Sequence, residues 1–161
     1  MRPTDRALRI AVAVLALAGA GIAGYLTYTH YAHTTVACPI GGGGCETVQE
    51  SHYAELAGVP VALLGLLLYA GVLGLVAWDD ERAGLGVAVL TIAGVAFAVY
   101  LLVIQLVVID AICAWCVAND VVLALLTAAA LARLRTTSSA LAAEPAARSG
   151  RGSRQGSRPS P

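Results

Sequence analysis

The sequence predicts an all-α integral membrane protein, a bundle of four transmembrane helices with a short surface helix in the first outer loop. Of the 161 residues, 58% are hydrophobic and 12% are charged. A soluble domain of this size carries about twice that fraction of charge. Four apolar windows are long enough to cross a bilayer, which takes roughly 20 residues in a helix. They lie at about 10–28, 59–78, 83–109 and 112–132.

The windows also divide the chain into three parts. We expect a cytoplasmic N-terminus at residues 1–9, a membrane domain at residues 10–134 and a disordered cytoplasmic tail at residues 135–161. The tail consists mainly of Arg, Ser, Gly, Ala and Pro. Such a segment buries too little apolar surface to offset the entropy lost on ordering.

The arginines predict the orientation in the membrane. The chain has no lysine, and its 10 basic residues all fall on one side of a four-span arrangement. They are Arg2, Arg6, Arg9, Arg82, Arg133, Arg135, Arg148, Arg151, Arg154 and Arg158. Because basic residues remain cytoplasmic, we expect both termini inside and the segments 29–58 and 110–112 outside. The net charge of zero therefore reflects sorting across a membrane and does not indicate a nucleic-acid partner.

Four cysteines form two pairs, both on the predicted outer side. Cys113 and Cys116 have the C-x-x-C spacing of thiol–disulfide exchange centres. Cys38 and Cys45 are close enough in sequence for a disulfide, and the four glycines at 41–44 give their loop a supple backbone. That flexibility suits a disulfide that must meet two partners in turn. Static disulfides remain an alternative for both pairs.

Each pair is predicted to lie beside a helix start. Val48, His52 and Glu55 or Leu56 recur at helical spacing after Cys45, which predicts the surface helix. Cys45 would then lie at its N-terminus, where the helix dipole favours a thiolate. The C-x-x-C opens the fourth span, and its sulfurs share one face of the first turn.

Polar residues near the C-x-x-C are candidates for binding a ligand. Asn119 and Asp120 follow Cys116 by three and four residues, so they lie on its face about one turn deeper. An ionisable residue in a span is a functional candidate. Gln105 lies at a similar depth in span three, and Trp115 could line the same pocket. The alternatives are a hydrated carboxylate for Asp120 and an interhelical hydrogen bond for Gln105.

These residues together resemble the vitamin K epoxide reductase family, specifically its bacterial members. The order is a loop cysteine pair, Ser51 six residues after Cys45, the sequence Gly-Val-Pro-Val-Ala-Leu-Leu-Gly at 58–65, and a C-x-x-C opening the last span. The resemblance covers about residues 10–134. It implies a four-helix bundle around a quinone site, with menaquinone or ubiquinone as the electron acceptor.

The resemblance also implies a role for each cysteine. Cys113 and Cys116 would form the active-site disulfide, with Cys116 nearest the quinone. Cys45 would attack Cys113, and Cys38 would exchange with a periplasmic, DsbA-like thioredoxin-fold protein. Ser51 matches the family's loop Ser/Thr. The implied function is quinone-linked disulfide-bond formation at the bacterial inner membrane.

Two positions depart from the vertebrate branch of the family. That branch has Tyr where this chain has Asp120 and Asn where it has Val61. Those two groups hydrogen-bond the quinone there, so the identity of the quinone and any epoxide chemistry stay open. Some bacterial members carry a fused thioredoxin-like domain, which this sequence lacks, so a separate redox partner is expected.

Three other classes of protein were weighed. A DsbB-type quinone reductase is also four-helical, but its C-x-x-C lies in the first outer loop. A metal-ion carrier, for mercury as an example, would use cysteines as soft ligands but would need thiols towards the cytoplasm. A tetraspan protein with two structural disulfides is the third. A four-cysteine zinc site is disfavoured by an oxidising exterior, and we assign no metal ligands.

Overall fold

The computed structural model describes residues 3–39, 43–78 and 80–155. Its long helices are α1, α3, α4 and α5, and the segment between α1 and α3 carries a short helix α2, a 3₁₀ turn and a small hairpin. The elements are α1 Pro3–Ala32, α2 Gly44–Gln49, the 3₁₀ turn His52–Ala54, β1 Glu55–Leu56, β2 Val59–Pro60, α3 Val61–Trp78, α4 Glu81–Ile104, a π-helical turn Gln105–Ile109, and α5 Ala114–Gln155.

Four helices in the described part of the chain are long and apolar enough to cross a membrane, as the sequence predicts. The segments are Pro3–Ala32, Val61–Trp78, Arg82–Ile109 and Ala114–Thr136. At 1.5 Å per residue, the 18 residues of α3 extend over about 27 Å, close to the thickness of a bilayer's hydrocarbon core. Large apolar side chains also face outwards, such as Leu17, Leu67 and Val107. Lipid is the solvent in which such a surface is stable.

The four long helices form a closed ring. α1 packs against α3 and α5, and α4 packs against the same two helices. Their inner faces share one buried apolar cluster, made of Val12, Ala16, Ala23, Tyr69, Val72, Val76, Val87, Leu123, Leu126 and Ala130. This cluster lies between the two ends of the bundle and holds the helices in register.

The two ends of the bundle differ in chemistry. At one end, the Arg9 guanidinium donates to the Val76 carbonyl at 3.1 Å, and Arg133 forms a 3.2 Å ion pair with Asp5. These contacts tie the start of α1 to the end of α3 and to α5. Both cysteine pairs lie at the opposite end, because one follows α1 and the other precedes α5. The arginine-bearing and cysteine-bearing ends are thus separated by the length of the spans.

The surface helix is shorter than the spacing of apolar residues predicts. α2 ends at Gln49 because the Ser51 hydroxyl donates to the Val48 carbonyl at 2.7 Å and turns the chain. The expectation that Val48, His52 and Leu56 share one helical face is therefore wrong. Beyond the 3₁₀ turn, β1 pairs with β2, and the hairpin turn is made by Ala57 and Gly58, both at positive φ.

The end of α5 also differs from expectation. Its backbone continues as helix to Gln155, whereas the composition predicts a disordered tail from residue 135. Pro145, Gly150 and Gly152 occur within this stretch, so local helix propensity does not account for the extension. Residues 156–161 of the predicted tail lie outside the described residues.

A close approach between α1 and α3 rests on a glycine. A Cβ at Gly19 would collide with the ring of Tyr69, whose side chain is 1% exposed. The absence of a side chain at Gly19 therefore makes the space in which Tyr69 lies.

Replacing Gly19 by Ala should destabilise the bundle by about 1–3 kcal/mol, the usual cost of overpacking. The measurement is the free energy of unfolding in mixed detergent micelles. Gly21→Ala is the matched control, because a Cβ there meets nothing within 4 Å, and its effect should be within about 0.5 kcal/mol. Equal losses at both positions would contradict the packing explanation.

Candidate active site

The two cysteine pairs meet in one buried cluster at the end of the bundle. Cys38 and Cys45 are joined in a disulfide, with Cα atoms 5.8 Å apart. Cys45 and Cys113 are both 0% exposed and pack together with Val48. Cys38, by contrast, is partly exposed. One sulfur of the loop pair is thus open to the outside, and the other faces the second pair.

The approach of α2 to the start of α5 is as close as backbones allow. A Cβ at Gly44 would lie 2.5 Å from the carbonyl oxygen of Ile112. Glycine at this position therefore lets α2 rest on the backbone that leads into Cys113. Gly44, the last of the four glycines, is therefore needed for the contact of α2 with the backbone at Ile112, apart from any effect of the glycines on loop flexibility.

The chain leading into Cys38 is held through both backbone polar groups of Ala37. The Ala37 N–H donates to the Tyr25 hydroxyl at 3.1 Å, and the Ala37 carbonyl accepts from the Trp115 indole at 2.8 Å. The rings of Tyr25 and Trp115 also pack with centroids 5.3 Å apart. This fixes the position of the residue before Cys38 against the residue between Cys113 and Cys116.

That placement corrects one expectation. Trp115 does not line the pocket below the C-x-x-C but points towards the loop. Successive residues on a helix are rotated by about 100°, so Trp115 faces away from the side that Cys116 presents to the bundle interior.

Cys113 and Cys116 are thiols in this structure. Their Sγ atoms lie 2.7 Å apart, and the Cys116 N–H donates to Cys113 Sγ at 3.3 Å. Cys116 is the third residue of α5. Its amide N–H therefore has no carbonyl partner within the helix and is one of the unpaired donors of the first turn. The hydrogen bond from the Cys116 side chain is the largest influence on Cys113 and lowers the pKa of that thiol to about 7, although burial opposes it.

Gln105 anchors the backbone of Cys113. Its side-chain Oε1 accepts from the Cys113 N–H at 3.0 Å, and its backbone carbonyl accepts from Ala111 N–H at 3.2 Å. Gln105 opens a π-helical turn, a feature that often occurs at functional sites. Asp110, at φ 53°, then turns the chain towards α5. The interhelical hydrogen bond considered for Gln105 is thus present.

A cavity of about 380 Å³ lies beneath Cys116, between the helices. Its walls are mainly apolar, with contributions from all four long helices. Cys116 lines the cavity, and its other polar lining residues are Gln49, Ser51, Tyr53, Gln105, Asn119 and Asp120. Asn119, Asp120 and Gln105 are thus on its wall, and their role in binding a ligand stays a prediction.

Two further residues contact the site and are not among those predicted from the sequence. Tyr69 is buried and donates its hydroxyl to Asn119 Oδ1 at 3.0 Å. Gln49 donates from its side-chain amide to Cys116 Sγ at 3.7 Å. A phenol inside an otherwise apolar span was a usable clue to Tyr69. In the sequence, Gln49 looks like any other polar residue of a surface helix. Only the packing of α2 against α5 brings its side chain to Cys116.

Fold and site together define a polytopic membrane protein in which a loop disulfide contacts a dithiol above an apolar cavity. The chain belongs to the vitamin K epoxide reductase family, whose pattern matches residues 10–131. It is also similar to a thiol-disulfide oxidoreductase, LTO1, of Arabidopsis thaliana, with 43% identity over 51 residues. That match covers 32% of this chain and 14% of the plant protein. Membership of the vitamin K epoxide reductase family separates the chain from the DsbB type and from metal carriers, two of the other classes considered from the sequence.

Replacing Gln105 by Met should cost about 1–3 kcal/mol of stability, because the buried Cys113 N–H loses its acceptor. Unfolding in mixed micelles measures the loss. Val107→Met, on the outward face of the same turn where the side chain is 75% exposed, should change stability by no more than about 0.5 kcal/mol. A Gln105→Met variant that is as stable as the parent protein would show that this hydrogen bond does not hold Cys113.

The acidity of Cys113 should depend on the donor at position 116. We expect the ultraviolet absorbance of its thiolate to titrate near pH 7 in Cys116→Ser, which keeps a hydroxyl donor. In Cys116→Ala the midpoint should rise by about one pH unit or more, because hydrogen bonds to charged groups are the strong ones. Both variants also carry Cys38→Ser and Cys45→Ser, so that one thiol remains. Equal midpoints would exclude the side-chain donor as the cause.

Proposed function

We propose that this protein transfers electrons from the dithiol of a separate thioredoxin-like protein, through its two cysteine pairs, to a membrane quinone. The observation that carries the proposal is the shared burial of Cys45 and Cys113 beside a partly exposed Cys38. One sulfur can be reached from outside, two meet inside, and the fourth lines the cavity.

The first step takes place at Cys38, the partly exposed cysteine of the loop pair. A thiolate of the partner attacks Cys38, because Cys45 is fully buried. A partner–Cys38 disulfide forms, the Cys38–Cys45 bond breaks, and Cys45 leaves as the thiolate. The partner's second thiol then attacks the partner sulfur of this mixed disulfide, so the partner is oxidised to a disulfide and Cys38 becomes a thiolate.

Transfer between the pairs follows from the contact of Cys45 with Cys113. In the oxidised enzyme, the Cys45 thiolate attacks Cys113, the Cys113–Cys116 bond breaks, and Cys116 takes the electron pair. Cys38 then attacks Cys45, which re-forms the loop disulfide and releases Cys113. A leaving thiol of lower pKa departs faster, and once Cys116 has taken up a proton its hydrogen bond lowers the pKa of Cys113 to about 7, which suits this role. The products are a loop disulfide and two inner thiols, the same redox state as in the structure.

The cavity fits a quinone. Its volume lies within the roughly 300–1,000 Å³ of small-molecule sites, its walls are apolar, and its few polar groups cluster beside Cys116. Such a site can hold a polar ring at Cys116 and an apolar tail along the helices. Cys113 and Cys116 close to a disulfide as two electrons and two protons pass to the quinone. Asn119, Asp120 and Gln105 are the residues proposed to orient the ring.

We further propose that the cysteine end of the bundle faces the periplasm or the cell exterior and that both termini are cytoplasmic. The support is the gathering of Arg9 and Arg133 at the other end, since basic residues remain cytoplasmic. An oxidising compartment is also where a loop disulfide persists.

Turnover with a reduced thioredoxin-like protein and a soluble quinone analogue tests the function. Quinone absorbance should fall by one equivalent for each partner disulfide formed. Cys116→Ala should abolish this loss while a partner–Cys38 adduct still forms, since Cys38 lies outside the inner pair. Full turnover in Cys116→Ala, or no turnover in the unmodified protein, would overturn the route.

A matched control is available at the membrane surface. Tyr31→Phe removes a hydroxyl from an exposed residue of α1 that lies outside the cavity, and it should turn over at the parent rate. An equal loss of turnover in Tyr31→Phe and in Cys116→Ala would show that the loss comes from the protein preparation and not from removal of the Cys116 sulfur.

A further inference from the structure

α2 carries two side chains that reach the C-x-x-C. Cys45 and Gln49 are four residues apart, so they lie on one face of α2. Cys113 and Cys116 are three apart at the start of α5 and share a face in the same way. Cys45 packs in the cluster with Cys113, and the Gln49 amide donates to Cys116 Sγ at 3.7 Å. One turn of α2 therefore lies over the start of α5, with Cys45 beside Cys113 and Gln49 beside Cys116.

Gln49 also lies at a boundary. It lines the intramembrane cavity and, on its other side, a polar groove on the outer surface. Its side chain is partly buried, so a hydrogen bond from its amide is less weakened by water than one at the surface.

From this contact we infer that Gln49 is a catalytic residue, which stabilises Cys116 as the leaving thiolate when Cys45 attacks Cys113. The inference rests on the proposed function. In that step the Cys45–Cys113 bond forms, the Cys113–Cys116 bond breaks, and the electron pair goes to Cys116 Sγ. The negative charge develops on the sulfur to which the Gln49 N–H donates, and a donor aimed at developing charge favours the step.

The arrangement couples the nucleophile to its leaving group. Because one short helix holds both Cys45 and Gln49, the donor is at Cys116 whenever the attacking sulfur is at Cys113. The approach of Gly44 to Ile112 sets that docking distance.

A three-cysteine variant isolates the step. In Cys38→Ser, Cys45 cannot return to the loop disulfide, so the oxidised protein partitions between a Cys113–Cys116 and a Cys45–Cys113 disulfide. After acid quenching, mass-tagging of the free thiol and peptide mapping give the ratio of the two forms. The two forms differ in which thiol is free, Cys45 in the first and Cys116 in the second, so the pH dependence of their ratio reports which of the two ionises more readily.

Gln49→Leu in this parent should lower the fraction of the Cys45–Cys113 form about tenfold at neutral pH, the effect of losing one hydrogen bond to a charged group. The pH profile of the ratio should change as well, because the lost hydrogen bond acts on the thiolate of Cys116, a change that a loss of packing alone would not produce. Gln49→Glu keeps the length and polarity of the side chain but sets a carboxylate beside the thiolate, so it should lower the fraction at least as much above neutral pH.

Glu50→Gln is the matched control, since Glu50 is the next residue, is exposed and lies outside the cavity lining. It should stay within about twofold of the parent, because an exposed charge is screened by salt. An unchanged ratio and pH profile in Gln49→Leu and Gln49→Glu would overturn the role of Gln49 alone. Absence of the Cys45–Cys113 form in the parent itself would overturn the transfer route, and the role of Gln49 with it.

Discussion

The contact of α2 with the backbone at Ile112 is the constraint on which the site depends. Gly44 permits it, since any larger residue would meet the Ile112 carbonyl oxygen at 2.5 Å. Through this contact, a buried loop sulfur, Cys45, is delivered to a buried helix sulfur, Cys113. Thiol–disulfide exchange proceeds by attack of one sulfur on another, and the shared buried cluster of Cys45 and Cys113 brings these two residues together at the membrane surface.

The bundle beneath serves that contact by holding α5 and the π-helical turn in place. Gln105 fixes the amide of Cys113, and the Trp115 indole fixes the chain before Cys38. Gln105 satisfies a buried backbone amide where regular helix has stopped, which is what a low-dielectric environment requires. The Trp115 indole donates at an exposed position, and the two side chains together set the positions of Cys113 and Cys38.

Much of the site could be predicted because helical spacing is a local property. Asn119 and Asp120 reach the cavity with Cys116 since residues three and four apart share a face. Trp115 was misplaced because its single indole donor found a loop carbonyl, a partner distant in sequence. Gln49 and Tyr69 were missed for a similar reason, since their partners are 67 and 50 residues away. The end of α2 depended on one hydroxyl at Ser51, which periodicity does not encode.

The sequence by itself determined the class of protein, the four spans, the separation of arginines from cysteines, and the pairing pattern typical of the family. These follow from hydrophobic length, charge and spacing, which act through the bilayer and the local helix and need no tertiary contact. Tertiary structure decided which sulfur is exposed, which sulfurs meet, and which polar groups touch them. Those outcomes depend on how α2 lies against the start of α5, and packing between segments far apart in the chain sets that geometry.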